Sequence, residues 1–541
     1  MGDFTESIPR SNRVAVFADS VGLGAKTQIP EAFPPDWEVN VDGQPARFVT
    51  QMQTQYVEPR LASNPEWFGD HVVMAAGYNA PLVSGSQMDA AEFDRQLDSM
   101  MATLTNAGVK HVHWVTLREV DPQYISGSAW RQIQPYYWYF PLVNERLEAA
   151  LARHPNLTLV DWAANANQPG LTYDAIHLNP TGARLYASLI RQSVDAAATR
   201  VADGSTTRIH VPGGEGAAAA TVNLTTTHPR RSGHLTVHGC GEQPPTASVH
   251  NFVRAQTVAH AAIAPLDANG DFCVTTHTAT NLIVDVTGLL RTGGGFAATR
   301  PTRWIDTRQT SIVTGGSTLV LDVDDLAPAA RPSGAPAALA LIVTAVVGHG
   351  LGHVTVSTCG TDADHSNVNF VGGEATPNLV FVRPDARGRI CLFTPTTTHL
   401  VVDLMGVFDE SAAISVAEPV RLRDSRRLGA KVTGGTAVRL DVGDELSADA
   451  TAAILNITGL LADAPGHFTA YPCADGLPNA SNLNLVPGAV LANAAVIAPD
   501  ANGEICVRSH STAHMVVDLL GEIGDAFDGF TPRRVLDTRH R

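Results

Sequence analysis

The chain has 541 residues, of which 44% are hydrophobic and only 17% are charged, and it contains 46 Gly and 33 Pro. This length exceeds what one hydrophobic core supports, so we expect at least two domains, and the Gly and Pro content favours turn-rich β structure. The formal net charge of −16 excludes a nucleic-acid partner, because contacts to phosphates need clustered Lys and Arg.

The N-terminal segment, MGDFTESIPRSNR, is polar and does not have the pattern of a signal peptide. We therefore expect either that a signal was removed from this chain or that export follows another route. The longest apolar stretch, PAALALIVTAVVG at 336–348, is too short for a transmembrane helix and predicts a buried strand. No transmembrane segment is predicted.

A serine stands where the first apolar run ends, within VAVFADSVGLGA at 14–25. The run stops at Asp19 and Ser20 and gives way to Gly22 and Gly24, which predicts a buried strand, a tight turn and the start of a helix. Such a turn exposes the serine hydroxyl and surrounds it with backbone N–H groups. A nucleophilic serine also needs a base, which has to come from elsewhere in the chain.

Residues 1–200 alternate short apolar runs with amphipathic stretches. The runs predict strands at 14–18, 37–41, 71–76, 111–117 and 157–162, and the stretches predict helices at 93–108, 142–154 and 181–198. Strands that alternate with helices imply a parallel sheet covered on both faces. We therefore predict an α/β domain over residues 1–200, with the site residues at the carboxyl ends of its strands.

Helical periodicity stops near residue 200, and residues 201–541 predict an all-β domain. The segments NLIVDVTGLL, HLVVDLMGVF and HMVVDLLGEI show an internal repeat, in which the aspartates are 118 and 115 residues apart. A unit of about 115 residues has the size of a β-sandwich module. We predict three tandem repeats at about 205–299, 300–416 and 417–525.

The second and third repeats open with related motifs, PTRWIDTR at 301–308 and PVRLRDSR at 419–426. The matching motif, PRRVLDTR at 532–539, follows the third repeat. We predict that 532–541 is a closing strand that completes the first repeat and removes an exposed sheet edge. The alternative is that this segment begins a fourth repeat.

Each opening motif carries an aspartate two residues before an arginine. Buried Asp–Arg pairs within each repeat are the favoured interpretation, and metal or glycan binding is the alternative. The three pairs are Asp306 with Arg308, Asp424 with Arg426, and Asp537 with Arg539.

All six cysteines lie after residue 239, and successive pairs are spaced by 33, 32 and 33 residues. A regular, even set predicts three disulfides and an oxidising compartment, so we expect an extracellular or cell-surface protein. Zinc binding is the weaker alternative, because the spacing lacks any CxxC pair. The predicted bonds are Cys240–Cys273, Cys359–Cys391 and Cys473–Cys506.

The first domain contains the groups that a serine esterase needs. Ser20 is the candidate nucleophile, His177 the candidate base, and Asp174 the group that orients the imidazole. The backbone N–H groups of Ser20 and Gly43 and the amide of Asn79 are the candidate oxyanion donors. The structural alternatives are a helix cap for Ser20, loop packing for His177, and turn residues for Asn79 and Gly43.

The ordered set Ser20, Gly43, Asn79, Asp174 and His177 resembles the SGNH (GDSL-type) hydrolase superfamily. The closer resemblance is to the extracellular SGNH domains of peptidoglycan and polysaccharide O-acyltransferases. Those domains share a DSVxLGA start, a Gly-x-Asn block, a VN before a helix, a VDW strand and a DxxHLxPxGAxxYA motif, which stand here at 19–25, 77–79, 143–144, 160–162 and 174–187.

The resemblance covers about residues 13–198. It implies a three-layer, flavodoxin-like α/β fold and acyl-ester chemistry on carbohydrate, without a metal or another cofactor. The repeated half resembles β-repeats of secreted actinobacterial proteins, for which the resemblance implies no activity.

Two residues depart from the family pattern. Ala18 stands where the family has glycine before Asp-Ser, and Ala80 stands where many members have aspartate after the asparagine. Five consecutive aromatic residues at 136–140 could line an acyl or sugar pocket, with core packing as the alternative. Trp114, at the end of a strand near the same edge, has the same two interpretations.

We expect an extracellular serine esterase that removes or transfers a small O-acyl group on a carbohydrate or cell-envelope glycan through an acyl-serine. The expected partners are an acylated carbohydrate or small ester and a cell-wall glycan bound by the β-repeats. The alternative is a non-catalytic cell-surface or glycan-binding protein that carries a relic SGNH domain.

Overall fold

The computed structural model describes residues 8–79, 90–120, 138–332, 334–346, 348–361 and 365–540. The chain divides into two compact units, Met1–Thr199 and Arg200–Arg541. Within the described residues, no helix is both long enough and apolar enough to cross a membrane.

The first unit contains one parallel sheet of five strands. They are β1 Arg13–Ala18, β2 Glu38–Gly43, β3 His71–Ala75, β4 His111–Val115 and β5 Leu157–Val160. The strand order is β2-β1-β3-β4-β5, and every neighbouring pair is parallel. Strands β1, β3, β4 and β5 are almost fully buried, as expected for a parallel sheet that helices cover. The predicted α/β class is confirmed.

Helices connect these strands. They are α1 Ser20–Leu23, α2 Gln28–Glu31, α3 Val49–Met52, α4 Glu58–Ser63, α5 Ala90–Asn106, α6 Tyr139–Arg153, α7 Trp162–Ala166 and α8 Pro180–Thr199. A π-helical turn at Gln53–Val57 joins α3 to α4. Helix α5 packs against α3 and α6, and α8 packs against α2, β4 and β5. The long helices bury one side each, which agrees with their amphipathic sequence.

The second unit is all-β, as predicted. Its strands are β6 Thr206–His210, β7 Ala217–Thr227, β8 Gly233–His238, β9 His250–Phe252, β10 Val258–Pro265, β11 Asp271–Thr276, β12 Asn281–Arg291, β13 Phe296–Asp306, β14 Ser317–Asp322, β15 Ala338–Val346, β16 Gly352–Thr358, β17 Val368–Phe370, β18 Ala375–Val382, β19 Arg389–Thr394, β20 His399–Phe408, β21 Ile414–Asp424, β22 Ala437–Asp441, β23 Ala452–Leu460, β24 Gly466–Pro472, β25 Leu483–Leu485, β26 Val490–Ile497, β27 Glu504–Ser509, β28 His514–Ile523 and β29 Phe527–Asp537.

The prediction of three tandem repeat modules is wrong, because the strands form six four-stranded sheets that read as a six-bladed propeller. Three sheets have the orders β10-β7-β12-β29, β13-β20-β15-β18 and β21-β28-β23-β26, and three have the orders β6-β11-β8-β9, β14-β19-β16-β17 and β22-β27-β24-β25. Each sequence repeat therefore supplies two sheets. Strands β13 and β21 also run across the repeat boundaries predicted at 299/300 and 416/417.

The repeats are joined by a common core, which explains why they are not separate modules. Ile263, Phe381 and Val496 occupy β10, β18 and β26 and belong to one buried cluster. Side-chain amides also bond across repeats, because Asn493 Nδ2 donates to Asn223 Oδ1 at 2.9 Å. One repeat alone would expose this core.

Strand β29 pairs antiparallel with β12, with Val284 opposite Leu536. It holds the same place in its sheet that β13 and β21 hold beside β20 and β28. This pairing favours the closing role that we predicted for 532–541 over the start of a fourth repeat.

The three predicted disulfides are confirmed. Cys240–Cys273, Cys359–Cys391 and Cys473–Cys506 are bonded, which accounts for all six cysteines. On a chain-entropy basis, each stabilises the unit by roughly 3–4 kcal/mol.

The Asp and Arg residues that recur in each repeat form ladders of ion pairs. In the second repeat, Arg303 Nε donates to Asp403 Oδ1 at 2.5 Å and its Nη1 donates to Asp306 Oδ2 at 3.0 Å. Asp306 in turn accepts from Arg308 Nη2 at 2.5 Å. The same ladder recurs in the other two repeats. The predicted Asp–Arg pairs therefore form, but only the aspartate of each pair is largely buried, while its arginine is 40–49% exposed.

Candidate active site

Ser20 lies at the junction between β1 and α1. Asp19 caps the helix, and its Oδ1 accepts a hydrogen bond from the Val21 N–H at 3.0 Å. Gly22 packs closely against the sheet, because a Cβ at this position would lie 2.7 Å from the Cβ of Ala75. The turn therefore depends on a glycine, and it leaves Ser20 partly exposed at the carboxyl end of β1.

Asp174 and His177 lie in a short loop that precedes α8. The Tyr173 N–H donates to the His177 carbonyl at 2.8 Å, and Ala175 has a φ of 74°. Asp174 Oδ1 accepts from the N–H groups of Ile176 and His177 at 3.1 and 2.7 Å. The loop is thus a compact turn built around one carboxylate, and Ala175 adopts the left-handed backbone that this turn requires.

The structure brings Ser20, His177 and Asp174 into one hydrogen-bonded chain. His177 Nδ1 lies 2.6 Å from Asp174 Oδ2, and His177 Nε2 lies 3.1 Å from Ser20 Oγ. The side chains of His177 and Asp174 are 47% and 36% exposed. With Nδ1–H donated to the carboxylate, Nε2 can accept the proton of the Ser20 hydroxyl, which is the arrangement of a serine–histidine–aspartate triad.

Opposing effects act on the pKa of the Asp174 carboxyl. Partial burial raises it, but hydrogen bonds from the His177 side chain and from the N–H groups of His177 and Ile176 outweigh burial and hold the pKa below its usual value. Asp174 is therefore ionised at neutral pH and able to stabilise an imidazolium.

Gly43 ends β2 directly opposite Ala18, the last residue of β1. Its φ is +140°, and a Cβ there would lie 2.0 Å from the Ala18 carbonyl oxygen, so only glycine fits. The Gly43 N–H donates to Asp42 Oδ1 at 2.8 Å. This residue is thus at the predicted edge of the sheet, but its N–H is held by a neighbouring carboxylate.

Asn79 follows β3 and lies beside the Ser20 turn. Its Nδ2 lies 3.5 Å from Asp19 Oδ2, and the Tyr78 N–H donates to the same oxygen at 3.3 Å. The Gly77–Asn79 block is therefore connected through Asp19 to the turn that carries Ser20. Ala80, the second departure from the family pattern, lies outside the described residues.

Sequence reasoning assigned no role to Asp19, which the structure places at the centre of these contacts. Its side chain has no solvent exposure. Burial raises the pKa of Asp19 to about 6, although N–H groups from Val21, Tyr78, Gly22 and Gly77 oppose the effect. The signal in the sequence was an acidic residue that directly follows a fully apolar strand.

Arg118 is a second residue that sequence reasoning missed. Its Nη1 donates to Thr172 Oγ1 at 2.6 Å and to the Ala175 carbonyl at 3.1 Å, and both acceptors belong to the loop that carries His177. The Arg118 N–H donates to Tyr78 Oη at 2.6 Å. Arg118 therefore ties the histidine loop to the segment that ends in Asn79.

The VN block has a structural role in this arrangement. Asn144 Oδ1 accepts from the Leu117 N–H at 2.7 Å, and its Nδ2 donates to the Leu117 carbonyl at 2.8 Å. Both contacts fix the segment that leads into Arg118.

The described aromatic residues near this edge act in packing. Tyr136 and Tyr137 lie outside the described residues, while Tyr139 and Phe140 are buried in the core. Phe140 meets Tyr78 edge to face at 5.1 Å. Trp114 is fully buried, and its Nε1 donates to the Ala76 carbonyl at 2.9 Å. For these residues the packing alternative applies.

Among the described residues, one group of possible metal ligands lies in the β unit. Cys473, Asp500 and Glu504 bring their potential ligand atoms within 4.8 Å of one another. Because Cys473 is bonded to Cys506, its sulfur is not available as a thiolate ligand, and two surface carboxylates remain.

No protein-family model matches this chain, and no curated protein matches it. Among solved structures, the chain is similar to the C-terminal catalytic domain of peptidoglycan O-acetyltransferase A from Streptococcus pneumoniae, with 20% identity over 34% of this chain and 92% of that domain and a TM-score of 0.25. An acetyl xylan esterase shows 20% identity over 34% of this chain and 99% of its own, with a TM-score of 0.25. A two-domain esterase active on acetylated mannans shows 10% identity over 74% and 93%, with a TM-score of 0.24.

At these identities and TM-scores, the likeness carries no conclusion about activity. The roles of Ser20, His177 and Asp174 therefore rest on the geometry of this chain.

Proposed function

We propose that the first unit, over about residues 1–200, is an SGNH-type serine esterase that removes or transfers a small O-acyl group on a carbohydrate. The observation that supports this function is the continuous chain of contacts from Ser20 Oγ through His177 to Asp174. A helix-capping serine or a loop-packing histidine needs no such chain. The buried Asp19 and the Arg118 contacts support the same function, because they hold the two halves of the site together.

In the first half of the reaction, Ser20 Oγ attacks the ester carbonyl while His177 Nε2 takes its proton. The carbonyl oxygen becomes an oxyanion, for which the Ser20 N–H, the Gly43 N–H and Asn79 Nδ2 are the proposed donors. The Gly43 N–H donates to Asp42 Oδ1. It can therefore donate to the oxyanion only after this hydrogen bond has broken. His177 then returns the proton to the leaving sugar oxygen, and an acyl-serine remains.

In the second half, His177 removes a proton from water or from a sugar hydroxyl, which attacks the acyl-serine. Collapse of the second tetrahedral intermediate releases the acid or the new ester, and the proton on His177 returns to Ser20 Oγ. Water as the acceptor gives a hydrolase, and a sugar hydroxyl gives a transferase.

We propose an extracellular or cell-surface location, which the three disulfides support. In this proposal residues 201–541 form a separate β domain that brings the esterase to its substrate. No cofactor is needed for the steps above.

The first test is hydrolysis of p-nitrophenyl acetate by the wild type and by Ser20→Ala. We expect the rate to fall at least ~10³-fold, because the nucleophile is removed. The matched control is Ser63→Ala, which removes an exposed hydroxyl at the end of α4 and should leave the rate unchanged. Equal rates for the wild type and Ser20→Ala would favour the non-catalytic alternative with a relic first domain.

The second test concerns the substrate class. Acetylated xylan and acetylated mannan are incubated with the full chain, and released acetate is measured by chromatography. We expect acetate release that Ser20→Ala abolishes. Activity on p-nitrophenyl acetate without release from either polysaccharide would retain the esterase and contradict the carbohydrate substrate.

A further inference from the structure

A histidine and an asparagine recur as a cross-strand pair in all three repeats of the β unit. In each repeat a Gly-His step opens the strand β8, β16 or β24, and the histidine lies directly opposite an asparagine on the three-residue edge strand β9, β17 or β25. We call these residues the His–Asn pairs; they are His234 with Asn251, His353 with Asn369, and His467 with Asn484.

Two of these histidines stack on a second imidazole. His234 and His277 lie 4.7 Å apart with planes inclined by 20°, and His467 and His510 lie 4.9 Å apart with planes inclined by 22°. In both cases the backbone N–H of the second histidine donates to the carbonyl of the first at 2.9 Å, which fixes the stack. His277 and His510 are exposed, so each stack presents a flat ring surface to solvent.

The glycine before each paired histidine makes this close approach possible. A Cβ on Gly233 would lie 3.2 Å from His277 Nδ1 and 2.6 Å from the Thr278 methyl group. A Cβ on Gly466 would lie 2.2 Å from Ser511 Oγ. The glycine of each of these two steps is therefore required by the close approach of the loop that carries the second histidine.

Two of the paired asparagines have unused hydrogen-bonding capacity. Within the described residues, Asn369 Nδ2 and Asn484 Oδ1 are buried and make no hydrogen bond. An amide group in this state costs roughly 1–3 kcal/mol. This cost disappears when a ligand or an ordered water forms the missing hydrogen bond.

The His–Asn pairs lie where neighbouring repeats meet. Strand β9 contacts β18, β17 contacts β26, and β25 contacts β10, so each of these short strands packs on the edge strand of a sheet in another repeat. At the first junction there is a cavity of about 350 Å³. It is lined by His234, Asn251, His277 and Gln256 of the first repeat and by Glu374 of the second.

The charge of this cavity indicates which ligands fit. The pKa of both His234 and His467 is lowered to about 4. Burial is the larger cause, and the neighbouring imidazole is the second. These rings are therefore neutral at pH 7 and present one N–H donor and one acceptor each. The described lining of the cavity includes Glu374 and contains neither Lys nor Arg, so an anionic ligand would be repelled.

We propose that the His–Asn pairs are binding sites for a neutral polysaccharide, with the cavity beside His234 as the principal site. Flat imidazole stacks suit the apolar C–H face of a pyranose ring, and the amides of Asn251 and Gln256 suit its hydroxyl groups. The volume of the cavity lies at the lower end of the range that is typical of small-ligand sites. Three equivalent pairs on one unit suit a polymer with a repeating sugar, since linked weak sites give avidity.

The test measures depletion of the full-length protein from solution by insoluble xylan, mannan and chitin at pH 7, with immobilised alginate as the anionic comparison. We expect binding to at least one neutral polymer, little loss of binding in 0.5 M NaCl, and no binding to alginate. The triple variant His234→Ala, His353→Ala, His467→Ala should bind at least ~10-fold more weakly, as expected when linked sites are lost.

The matched control is His210→Ala. It removes an exposed histidine on β6, at the opposite edge of the sheet that contains β9, and it should bind as the wild type does. Should the triple variant not fold, as judged by circular dichroism, the double variant His277→Ala, His510→Ala changes only exposed rings. We expect that variant to bind at least several-fold more weakly.

Every variant is also assayed with p-nitrophenyl acetate, and we expect unchanged rates, since the inference concerns a different unit and does not depend on the esterase. Absence of binding to all three neutral polymers would overturn the proposal. Equal binding by the wild type and the variants would do the same. A final experiment titrates the protein with Zn²⁺ alone. If Zn²⁺ binds through these histidines and no polysaccharide binds, the proposal is wrong and the His–Asn pairs are a metal site.

Discussion

The two units bury aspartates in different ways. In the β unit, Asp403 has no solvent exposure, and Arg303 bonds to it directly. In the α/β unit, Asp19 is equally buried, but its described donors are backbone N–H groups and the amide of Asn79. The β unit therefore offsets a buried charge in part with a guanidinium, although burial still raises the pKa of Asp403. The α/β unit leaves the charge next to Ser20 with neutral donors alone, and a perturbed carboxyl of this kind is typical of functional sites.

The largest expected effect comes from removing the arginine that pairs with the buried Asp403 in the β unit. Arg303→Met leaves Asp403 buried without its cation, so we expect the free energy of unfolding to fall by about 3–5 kcal/mol at pH 7. Chemical denaturation, followed for the transition of this unit, measures the change. The matched control is Arg308→Met, whose arginine is half exposed and should cost no more than about 1 kcal/mol. If both variants lost the same free energy of unfolding, burial would not be what distinguishes Arg303 from Arg308.

The second prediction concerns the carboxyl of Asp19, which has no cationic partner among its described donors. The pKa of Asp19 is about 6 in the folded state against 3.8 for an ordinary aspartate, so the folded state holds this proton more tightly than the unfolded state. Its contribution to the free energy of unfolding therefore falls as the pH rises from about 4 to about 6. We expect a total change of about 3 kcal/mol.

Measuring the pH dependence of unfolding for the wild type and for Asp19→Asn isolates this contribution, because other titrating groups cancel in the difference. The wild type should lose stability relative to the variant as the pH rises. The exposed Asp36→Asn serves as the surface control. A difference that does not change with pH between 4 and 6 would show that the N–H donors around Asp19 offset its burial.

The smallest expected effect concerns the position of the histidine loop. Arg118→Met removes the contacts to Thr172 and Ala175, so we expect kcat for p-nitrophenyl acetate to fall about 10–100-fold with little change in KM. Arg118→Lys should restore only part of the rate, since an ammonium does not reproduce the planar guanidinium. Arg95→Met, on the exposed side of α5, is the control. Unchanged kcat in Arg118→Met would show that the loop holds His177 without this arginine.

The sequence was most informative where chemistry depends on a few residues in a fixed order. Ser20, Asp174 and His177 were found because each stands in a short motif, and the structure places them in contact. Asp19 and Arg118 were missed because their roles depend on contacts with segments far away in the chain, such as Tyr78 and Thr172. Such contacts leave no local pattern.

In the β unit the repeat itself was readable, but its division into two sheets was not. The edge strands β9, β17 and β25 have three residues each, which is too short for an alternating pattern to be recognised. Without them, each repeat looked like one module. The common core around Ile263, Phe381 and Val496 was hidden for a related reason, because equivalent apolar residues in a repeat do not reveal whether they pack within a repeat or between repeats.

The pairing of β29 with β12 has a consequence for the order of events during synthesis. Strand β12 ends at Arg291 and β29 begins at Phe527. At about 5–20 residues per second, the ribosome needs roughly 10–50 s to make the chain between them. During that time β12 has an open edge, and the first sheet remains unfinished while the later ones form. The β unit therefore reaches its native state only after β29 has been synthesised and has paired with β12.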